Sequence, residues 1–410
     1  MKFNSMFVKI RNGEREVYKL RDKALRRELG ELNAEIINKF NLVIPNRNAI
    51  IKSLVQFLSQ GSIYNNQSDL DATGQSFYVI KADISNFFPS INKHRLYKKI
   101  VKSSLLKDSS LNVIKSFIFN NHISGVPLGM PFSSALAEVY LEEFDDNIRR
   151  EFAPIFYVRY VDDILIIKSY SIDNSIDKNK EKQKLYNLLG QIGLSANESK
   201  TEVYEYETID NTVVFEYLGY NFKIENKKLY IDIAQKKYEK KVLNKLTRYF
   251  KYYNSSSCTD EDFWILYYRL KNLIYGVTSS GEKGVDYKLK FGIGFSYKFI
   301  NSGNSLKALL KTFHYFRKRY SDQFTSEQTA HLFSLLTVNS SSNGRIILNQ
   351  FSDIEDILLL LKKRMNYTKC SISKLEHIAN QIGCSTTVRS SDGLYQRNLQ
   401  IIIMKKLRIN

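Results

Sequence analysis

The chain has 410 residues, enough for two or three domains with buried cores. It carries 61 Lys plus Arg against 42 Asp plus Glu, a net charge of +19, while 43% of its residues are hydrophobic and 13% are aromatic. This composition excludes a disordered polycation and a small disulfide-stapled scaffold, and the excess positive charge predicts a phosphate-rich partner, most often nucleic acid.

Cysteines and hydropathy indicate the compartment. Cys258, Cys370 and Cys384 show neither zinc-knuckle nor disulfide-framework spacing, which fits a reducing environment. The basic amino terminus has no apolar stretch of signal-peptide length, and the longest aliphatic run, residues 357–361, is too short to cross a bilayer. We therefore expect a soluble cytoplasmic protein that makes no membrane contact.

The first part of the chain predicts two helices. Within residues 20–42, Leu25, Leu29 and Leu32 recur at spacings of three to four, which is typical of a helix. Residues 45–60 begin with Pro and Asn and place apolar side chains on one face, which predicts a second helix. The polar stretch 61–75 predicts a loop.

From Phe77 to Phe222 short apolar strands alternate with helices. Strands are predicted at residues 77–83, 155–167, 201–207, 212–222 and 227–233, and helices at 133–152 and 184–194. This order predicts an α+β fold in which a sheet is backed by helices. From about Ala234 onward amphipathic segments separated by Ser, Asn and Gly clusters predict an α-helical carboxy-terminal domain.

Three carboxylates stand out because each lies at the end of an apolar strand. Asp83 ends the strand at 77–83, and Asp162 and Asp163 occupy a turn between two strands. Burying a lone charge costs several kcal/mol, and a bound ion is a common remedy. If the hairpin pairs with the first strand, these acids face one point and suit Mg²⁺, which can activate a hydroxyl and hold a leaving phosphate. The alternative for an isolated Asp-Asp pair is a solvent-facing turn.

The context of these acids favours catalysis. The sequence Tyr-Val-Asp-Asp, flanked by apolar strands about 80 residues after Asp83, resembles the catalytic core of reverse transcriptases. The resemblance covers roughly residues 77–250 and is strongest to the bacterial members, above all the defence-associated and abortive-infection (unknown-group) enzymes. It implies a right-hand polymerase with an antiparallel palm sheet. The implied domains are amino-terminal helices and fingers at 1–76, palm at 77–222, thumb at 223–255 and a helical domain at 256–410.

The resemblance also implies roles for individual residues. Asp83, Ile84, Asp162 and Asp163 would contact Mg²⁺, with Mn²⁺ as the alternative ion, and Lys200 would act near the leaving pyrophosphate. Phe88, five residues after Asp83, matches the steric gate that clashes with a ribose 2′-hydroxyl and so selects deoxynucleotides. Without Asp83 at that spacing, Phe88 would be interpreted as an ordinary core aromatic.

Further positions would contact the nucleotide and the primer. Pro127, Leu128 and Gly129 resemble the loop that seats the incoming nucleotide, where the family usually has Gln in place of Leu128. The other implied contacts are Tyr160 with the nucleotide, Arg47 and Lys52 with its triphosphate, and Tyr217, Leu218 and Gly219 in the primer-gripping hairpin. Residues 223–251 carry ten Lys or Arg against three acids, which favours contact with a phosphate backbone.

The sequence therefore predicts an RNA-directed DNA polymerase that adds dNTPs to a 3′-hydroxyl or a protein hydroxyl, acting in antiphage defence. Expected partners are an RNA template or non-coding RNA, the DNA product, and a companion protein or a second copy of the chain. One alternative is a retron-type or mobile-element enzyme, although Val277-Thr278 is followed by Ser where retron enzymes have Gly. The other is a catalytically silent scaffold that binds nucleic acid.

Overall fold

A computed structural model describes residues 7–12, 15–61, 67–169, 176–208, 212–281, 288–340, 344–348, 353–384 and 392–408. The chain forms two compact units. Unit 1 comprises Met1–Phe57 and Thr73–Val213, and unit 2 comprises Leu58–Ala72 and Val214–Asn410. The chain thus passes from one unit to the other three times, and the four-domain division stays a prediction.

Unit 1 contains a strand hairpin, helices and the sheet that carries the predicted acids. Its elements are β1 (Phe7–Asn12), β2 (Arg15–Leu20), α1 (Lys23–Lys39), α2 (Arg47–Leu58, whose last residue belongs to unit 2), β3 (Phe77–Asp83), α3 (Phe87–Ser90), α4 (Lys93–Ser103), α5 (Asp108–Ile118), α6 (Ser133–Phe152), β4 (Phe156–Tyr160), β5 (Asp163–Ser169), α7 (Lys178–Gln191) and β6 (Glu202–Tyr206).

The antiparallel sheet of unit 1 has the strand order β4-β5-β3-β6. Its central strand β3 reads as a continuous apolar run because residues on both of its faces are buried. One face packs into the main core, where Ile80 and Ile166 join Leu136 and Phe144 of α6 and Leu185 of α7. The predicted α+β architecture, with a sheet backed by helices, is confirmed.

The amino-terminal region differs from the sequence-based prediction of helices alone. Helices α1 and α2 are present, but the antiparallel hairpin β1–β2 precedes them. In β2, Tyr18 and Leu20 are buried and Lys19 between them is exposed, which is the period-2 pattern of a half-buried strand. The pattern was missed because each run is only six residues long.

Unit 2 begins with a second sheet and continues through helices interrupted by short strands. Its elements are β7 (Val213–Tyr217, whose first residue belongs to unit 1), β8 (Tyr220–Glu225), β9 (Lys228–Ile233), α8 (Gln235–Tyr238), α9 (Asn244–Asn254), α10 (Asp260–Ile274), β10 (Gly276–Ser280), β11 (Lys288–Phe291), α11 (Ile293–Ser296), α12 (Asn304–Arg319), α13 (Ser326–Leu335), β12 (Thr337–Ser340), β13 (Gly344–Ile347), α14 (Ile354–Lys362), β14 (Arg364–Asn366), α15 (Ile372–Gln381) and α16 (Asp392–Lys406).

An earlier segment of the chain completes the first sheet of unit 2, whose strand order is β7-β8-β9. The N–H of Leu229 donates to the carbonyl of Leu70 at 2.8 Å, and the N–H of Ala72 donates to the carbonyl of Lys227 at 2.8 Å. The ammonium of Lys228 lies 2.9 Å from Asp69 and 2.7 Å from Asp71. Residues 69–72 therefore lie alongside β9 and form an additional edge of the β7-β8-β9 sheet.

Asp232 connects β9 to α12. Its Oδ2 accepts hydrogen bonds from Ser302 Oγ at 3.1 Å and from the N–H of Ser305, in the first turn of α12, at 3.3 Å. Burial raises the pKa of the Asp232 carboxyl, and the hydrogen bonds oppose this effect only in part.

The carboxy-terminal part of the chain also contains short strands, which the sequence analysis did not predict. The predicted amphipathic helices are present, yet β10 pairs antiparallel with β11 and parallel with β14, and β12 pairs with β13. Strands of three to five residues are too short for periodicity to identify them. Among the helices that the structure describes, none is long and apolar enough to cross a membrane.

Candidate active site

The three predicted acids lie at one end of the unit 1 sheet. Asp83, the last residue of β3, is the direct register partner of Asp163, the first residue of β5. The N–H of Ile84 donates to the carbonyl of Asp162 at 3.0 Å, so the main chain after β3 is tied to the turn before β5. All three acids are half-buried. The structure brings Asp83, Ile84, Asp162 and Asp163 together, as the sequence predicts.

A strained turn presents Asp162. Val161 has a φ of 59°, in the left-handed region that a β-branched residue rarely adopts. Arg159 stabilises this turn, because its Nη1 donates to the carbonyl of Val161 at 3.0 Å. The Arg159 side chain is 5% exposed and forms ion pairs with Glu138 at 2.6 Å and Asp145 at 2.8 Å, both on α6.

Sequence reasoning missed the role of Arg159. Burial alone would lower its pKa, but hydrogen bonds and charge attraction from Asp145 and Glu138 raise the pKa above its ordinary value. The available signal was a single arginine inside an otherwise apolar strand, since such a residue must be paired when it is buried. The network links α6, β4 and the turn that carries Asp162.

Lys200 reaches Asp83 through an irregular segment beside β3. The N–H of Ser85 donates to the carbonyl of Ser195 at 2.8 Å, and the N–H of Asn197 donates to the carbonyl of Asp83 at 2.7 Å. A short 3-10 turn, Glu198–Lys200, then directs the lysine so that its Nζ lies 3.1 Å from Asp83 Oδ1. Lys200 is 55% exposed, which leaves its ammonium accessible to a ligand.

The donor set suits a divalent metal ion in its chemistry. Carboxylate oxygens are the hard ligands that Mg²⁺ prefers, and those of Asp83 and Asp163 lie on adjacent strands. Within the described ranges, however, no three His, Cys, Asp or Glu side chains form a group that could hold an ion as they stand. Metal binding at these acids stays a prediction.

Phe88 is connected to the predicted nucleotide loop through the main chain. It lies in α3, is half-buried, and accepts a hydrogen bond at its carbonyl from the N–H of Val126 at 2.9 Å. Gly125 permits this approach, because a Cβ at Gly125 would lie 2.1 Å from the Phe88 carbonyl oxygen. The predicted gate and the loop that follows Val126 are therefore neighbours.

The loop at Pro127, Leu128 and Gly129 is held from two sides. The Pro127 carbonyl accepts a hydrogen bond from the Ser133 hydroxyl at 2.6 Å. The Leu128 carbonyl accepts one from the N–H of Tyr18, in β2, at 2.8 Å. Gly129 has a φ of 102°, and a Cβ there would lie 2.4 Å from the Tyr18 carbonyl oxygen. The hairpin β1–β2, which the sequence did not predict, thus supports the loop.

Three further residues, Tyr160, Arg47 and Lys52, are predicted to contact the nucleotide. Tyr160 pairs in register with Asp163 across β4 and β5, so it lies beside the acids. Arg47, the first residue of α2, is half-buried, and Lys52 is exposed on the same helix. The triphosphate roles of Arg47 and Lys52 stay predictions.

The predicted primer-gripping hairpin belongs to unit 2. Tyr217 is buried at the end of β7, and Leu218 and Gly219, with φ of 47° and 81°, form the tight turn into β8. The Gly219 carbonyl accepts a hydrogen bond from the N–H of Ala234 at 3.0 Å. A two-residue turn is present, and its contact with a primer stays a prediction.

Comparisons with known proteins agree with this geometry. Residues 23–222 match the family model described as reverse transcriptase (RNA-dependent DNA polymerase). The chain is 24% identical to the retron Ec83 reverse transcriptase of Escherichia coli, over 29% of this chain and 45% of that protein. It is 32% identical to the retron Se72 reverse transcriptase of Salmonella heidelberg (strain 579083-10), over 30% of this chain and 33% of that protein. The chain thus spans less than half the length of these relatives.

Two solved structures also show similarity. Apo telomerase from Candida tropicalis, truncated from its carboxy-terminal domain, has a TM-score of 0.36 at 14% identity, covering 51% of this chain and 45% of that one. Telomerase from Candida albicans in complex with a fragment of telomeric RNA has a TM-score of 0.41 at 10% identity, covering 93% and 54%.

Proposed function

We propose that this chain, whose residues 23–222 belong to the reverse transcriptase family, is an RNA-directed DNA polymerase that extends a 3′-hydroxyl or a protein hydroxyl with dNTPs. One observation carries the proposal. Asp83 and Asp163 lie opposite each other at the end of an antiparallel sheet, and the main chain at Ile84 is bonded to Asp162. This arrangement gathers the acids that phosphoryl transfer needs at one edge of a rigid element.

Each predicted site residue would have its own role in nucleotide addition. Asp83, Asp162, Asp163 and the carbonyl of Ile84 would hold Mg²⁺ or Mn²⁺, which when bound helps to activate the attacking hydroxyl and neutralises phosphate charge. Lys200 would place a positive charge beside the leaving pyrophosphate. Phe88 would exclude a 2′-hydroxyl, while the loop at Pro127–Gly129 would seat the nucleotide. Arg47 and Lys52 would bind its triphosphate.

We further propose a cytoplasmic role in antiphage defence, with a non-coding RNA as template or cofactor. The bacterial relatives support a bacterial reverse transcriptase. Because both relatives are named as retron enzymes, a retron-type function is the second candidate. Val277 and Thr278 lie in β10 and are followed by Ser279, so the Val-Thr-Gly sequence of retron enzymes is incomplete at this position.

The experiment is DNA synthesis by the purified protein together with its copurifying nucleic acid. Mg²⁺ and each labelled dNTP are added, with and without prior RNase treatment. The wild-type protein should incorporate dNTPs, and RNase should abolish the signal if RNA is the template. Asp163→Asn and Asp162→Asn should be inactive, whereas Asp146→Asn, which changes an exposed acid on α6, should retain activity. If the wild-type protein incorporates none of the dNTPs, the result would favour the alternative of a catalytically silent scaffold that binds nucleic acid.

A further inference from the structure

Two lysines of unit 2 lie against the same tyrosine. Lys271 is in the last turn of α10 and Lys363 directly follows α14. The ammonium of Lys271 lies 6.0 Å from the centre of the Tyr275 ring, and that of Lys363 lies 4.9 Å from it. Lys363 Nζ also donates to the Tyr275 hydroxyl at 2.8 Å. Two cations thus share one aromatic ring, and both are half-buried.

The charged groups around these lysines are cationic. The pKa of Lys363 is lowered to about 8, first by burial and then by the positive charges of Lys271 and Arg345. Burial and then Lys374 lower the pKa of Lys271, and only the Cys370 thiol acts in the opposite direction. No Asp or Glu among the described residues pairs with either lysine, with Arg345 or with Lys374. We call Lys271 and Lys363 the Lys271–Lys363 cluster.

The protein supplies hydrogen-bond acceptors to Lys363 but not to Lys271. Lys363 Nζ lies 3.4 Å from the carbonyl of Ser334 and 3.3 Å from that of Leu335, at the end of α13, where a cation is favourable. Among the described residues, Lys271 Nζ lies near three aromatic rings and has no hydrogen-bond acceptor, so its N–H groups can donate to an anion. Like charges gathered without an acid destabilise the folded chain unless an anion joins them.

We propose that the Lys271–Lys363 cluster binds a phosphate group of a nucleotide. Phosphate offers several acceptor oxygens to ammonium groups, and Tyr267, whose ring lies 5.3 Å from Lys271 Nζ, adds an aromatic wall of the kind that accompanies phosphate contacts in single-strand binding sites. Lys271 and Lys363 belong to unit 2 and lie outside residues 23–222, which the family model matches. The phosphate comes from a single-stranded RNA or from a free nucleotide. The RNA source rests on the proposed function.

Lysine footprinting on the full chain tests the site. The protein is treated with an amine-acetylating reagent alone, with a single-stranded RNA of about 20 nucleotides, or with ATP, and each lysine is quantified by mass spectrometry. We expect RNA to lower acetylation of Lys271 and Lys363 at least about 5-fold and to leave Lys311, exposed on α12, unchanged. Protection by ATP alone would assign the site to a free nucleotide. Equal acetylation in all three samples, while anisotropy shows bound RNA, would overturn the proposal.

Variants give an independent measurement. Lys271→Met/Lys363→Met keeps the apolar stems and removes both charges, and Lys311→Met is the matched control. For an RNA ligand, the double variant should flatten the slope of log affinity against log salt by roughly 0.7, the contribution of one neutralised phosphate of a single strand. An unchanged slope would contradict RNA binding at this site. Running both assays on Asp163→Asn separates this result from the fate of the proposed polymerase activity, since neither readout needs DNA synthesis.

Discussion

Arg159 donates a hydrogen bond from Nη1 to the carbonyl oxygen of Val161 at 3.0 Å. A buried guanidinium thereby stabilises the left-handed residue that immediately precedes Asp162. The same guanidinium also forms ion pairs with Glu138 and Asp145 of α6. The position of Asp162 therefore depends on helix α6 as well as on the strands that flank its turn.

Removing Arg159 should strongly destabilise unit 1. Arg159→Met leaves the carboxylates of Glu138 and Asp145 without their buried partner, a change that typically costs about 3–5 kcal/mol. Urea unfolding of the full chain measures the effect. The control is Arg27→Met, because Arg27 pairs with Glu31 at the exposed surface of α1, where such pairs contribute less than about 1 kcal/mol. Similar losses for the two variants would argue against the network.

Lys200 should matter for chemistry and little for stability. Lys200→Met removes a positive charge beside Asp83, and we expect a fall of about 10²–10³ in the rate of single-nucleotide incorporation, as for other charge-stabilising groups. The free energy of unfolding should change by less than about 1 kcal/mol, because the lysine is more than half exposed. Lys178→Met, which removes a similarly exposed lysine paired with Glu205, should leave the rate unchanged. A wild-type rate in Lys200→Met would remove this residue from the mechanism.

Phe88 should control the choice of sugar. Phe88→Ala opens space where a 2′-hydroxyl would lie, and we expect the preference for dNTPs over rNTPs to fall by at least about 10-fold. The measurement is incorporation of each nucleotide in competition. Phe119→Ala removes another partly buried ring of the same core and should reduce stability without altering the preference. If Phe88→Ala keeps the preference for dNTPs over rNTPs, Phe88 would be interpreted as an ordinary aromatic residue of the core.

Gly129 should not tolerate a side chain. Gly129→Ala would place a Cβ 2.4 Å from the Tyr18 carbonyl oxygen at a φ of 102°, so β2 or the nucleotide loop must move. We expect destabilisation of more than about 1 kcal/mol and weaker dNTP binding. Gly190→Ala is the control, because Gly190 lies in α7 with no atom within 4 Å of an added Cβ and should gain up to about 1 kcal/mol. A neutral Gly129→Ala would mean that the hairpin does not hold the loop.

Asp232 should make stability depend on pH. Because its pKa is raised in the folded chain, the folded state binds this proton more tightly than the unfolded state does. The stability gained from this proton is therefore fully present below the unfolded pKa of about 3.9. It is lost as the pH rises through the pKa of Asp232 in the folded chain. Asn at this position does not titrate. Unfolding measurements at about pH 4 and pH 7 should show the Asp232→Asn variant gaining stability relative to the parent as pH rises; a difference independent of pH would contradict this.

The sequence predicted those parts of the fold that depend on long periodic patterns. Helix α6 begins and ends where its pattern predicts, and β3 ends at Asp83. The hairpin β1–β2 and the strands β10 to β14 were missed because runs of three to six residues carry too little periodicity to separate a strand from a loop.

The site residues that were predicted from the sequence are likewise those with a local sequence pattern. Asp83, Asp162 and Asp163 stood out because apolar strands flank them, and the structure brings them together. Arg159 was missed because its partners Glu138 and Asp145 lie on another element, and pairing across elements leaves no local pattern. Tyr18 was missed for a related reason, since its contact with Leu128 is made by main-chain atoms.

The edge formed by residues 69–72 along β9 affects how the chain can be divided. A fragment that starts at Val214 would lack Leu70, which is 1% exposed and accepts the N–H of Leu229. During synthesis, residues 58–72 leave the ribosome about 150 residues before β9 does, so unit 2 cannot close until much of unit 1 has been made. Expression of unit 2 as an isolated domain should therefore require residues 58–72 to be supplied, either in trans or by circular permutation.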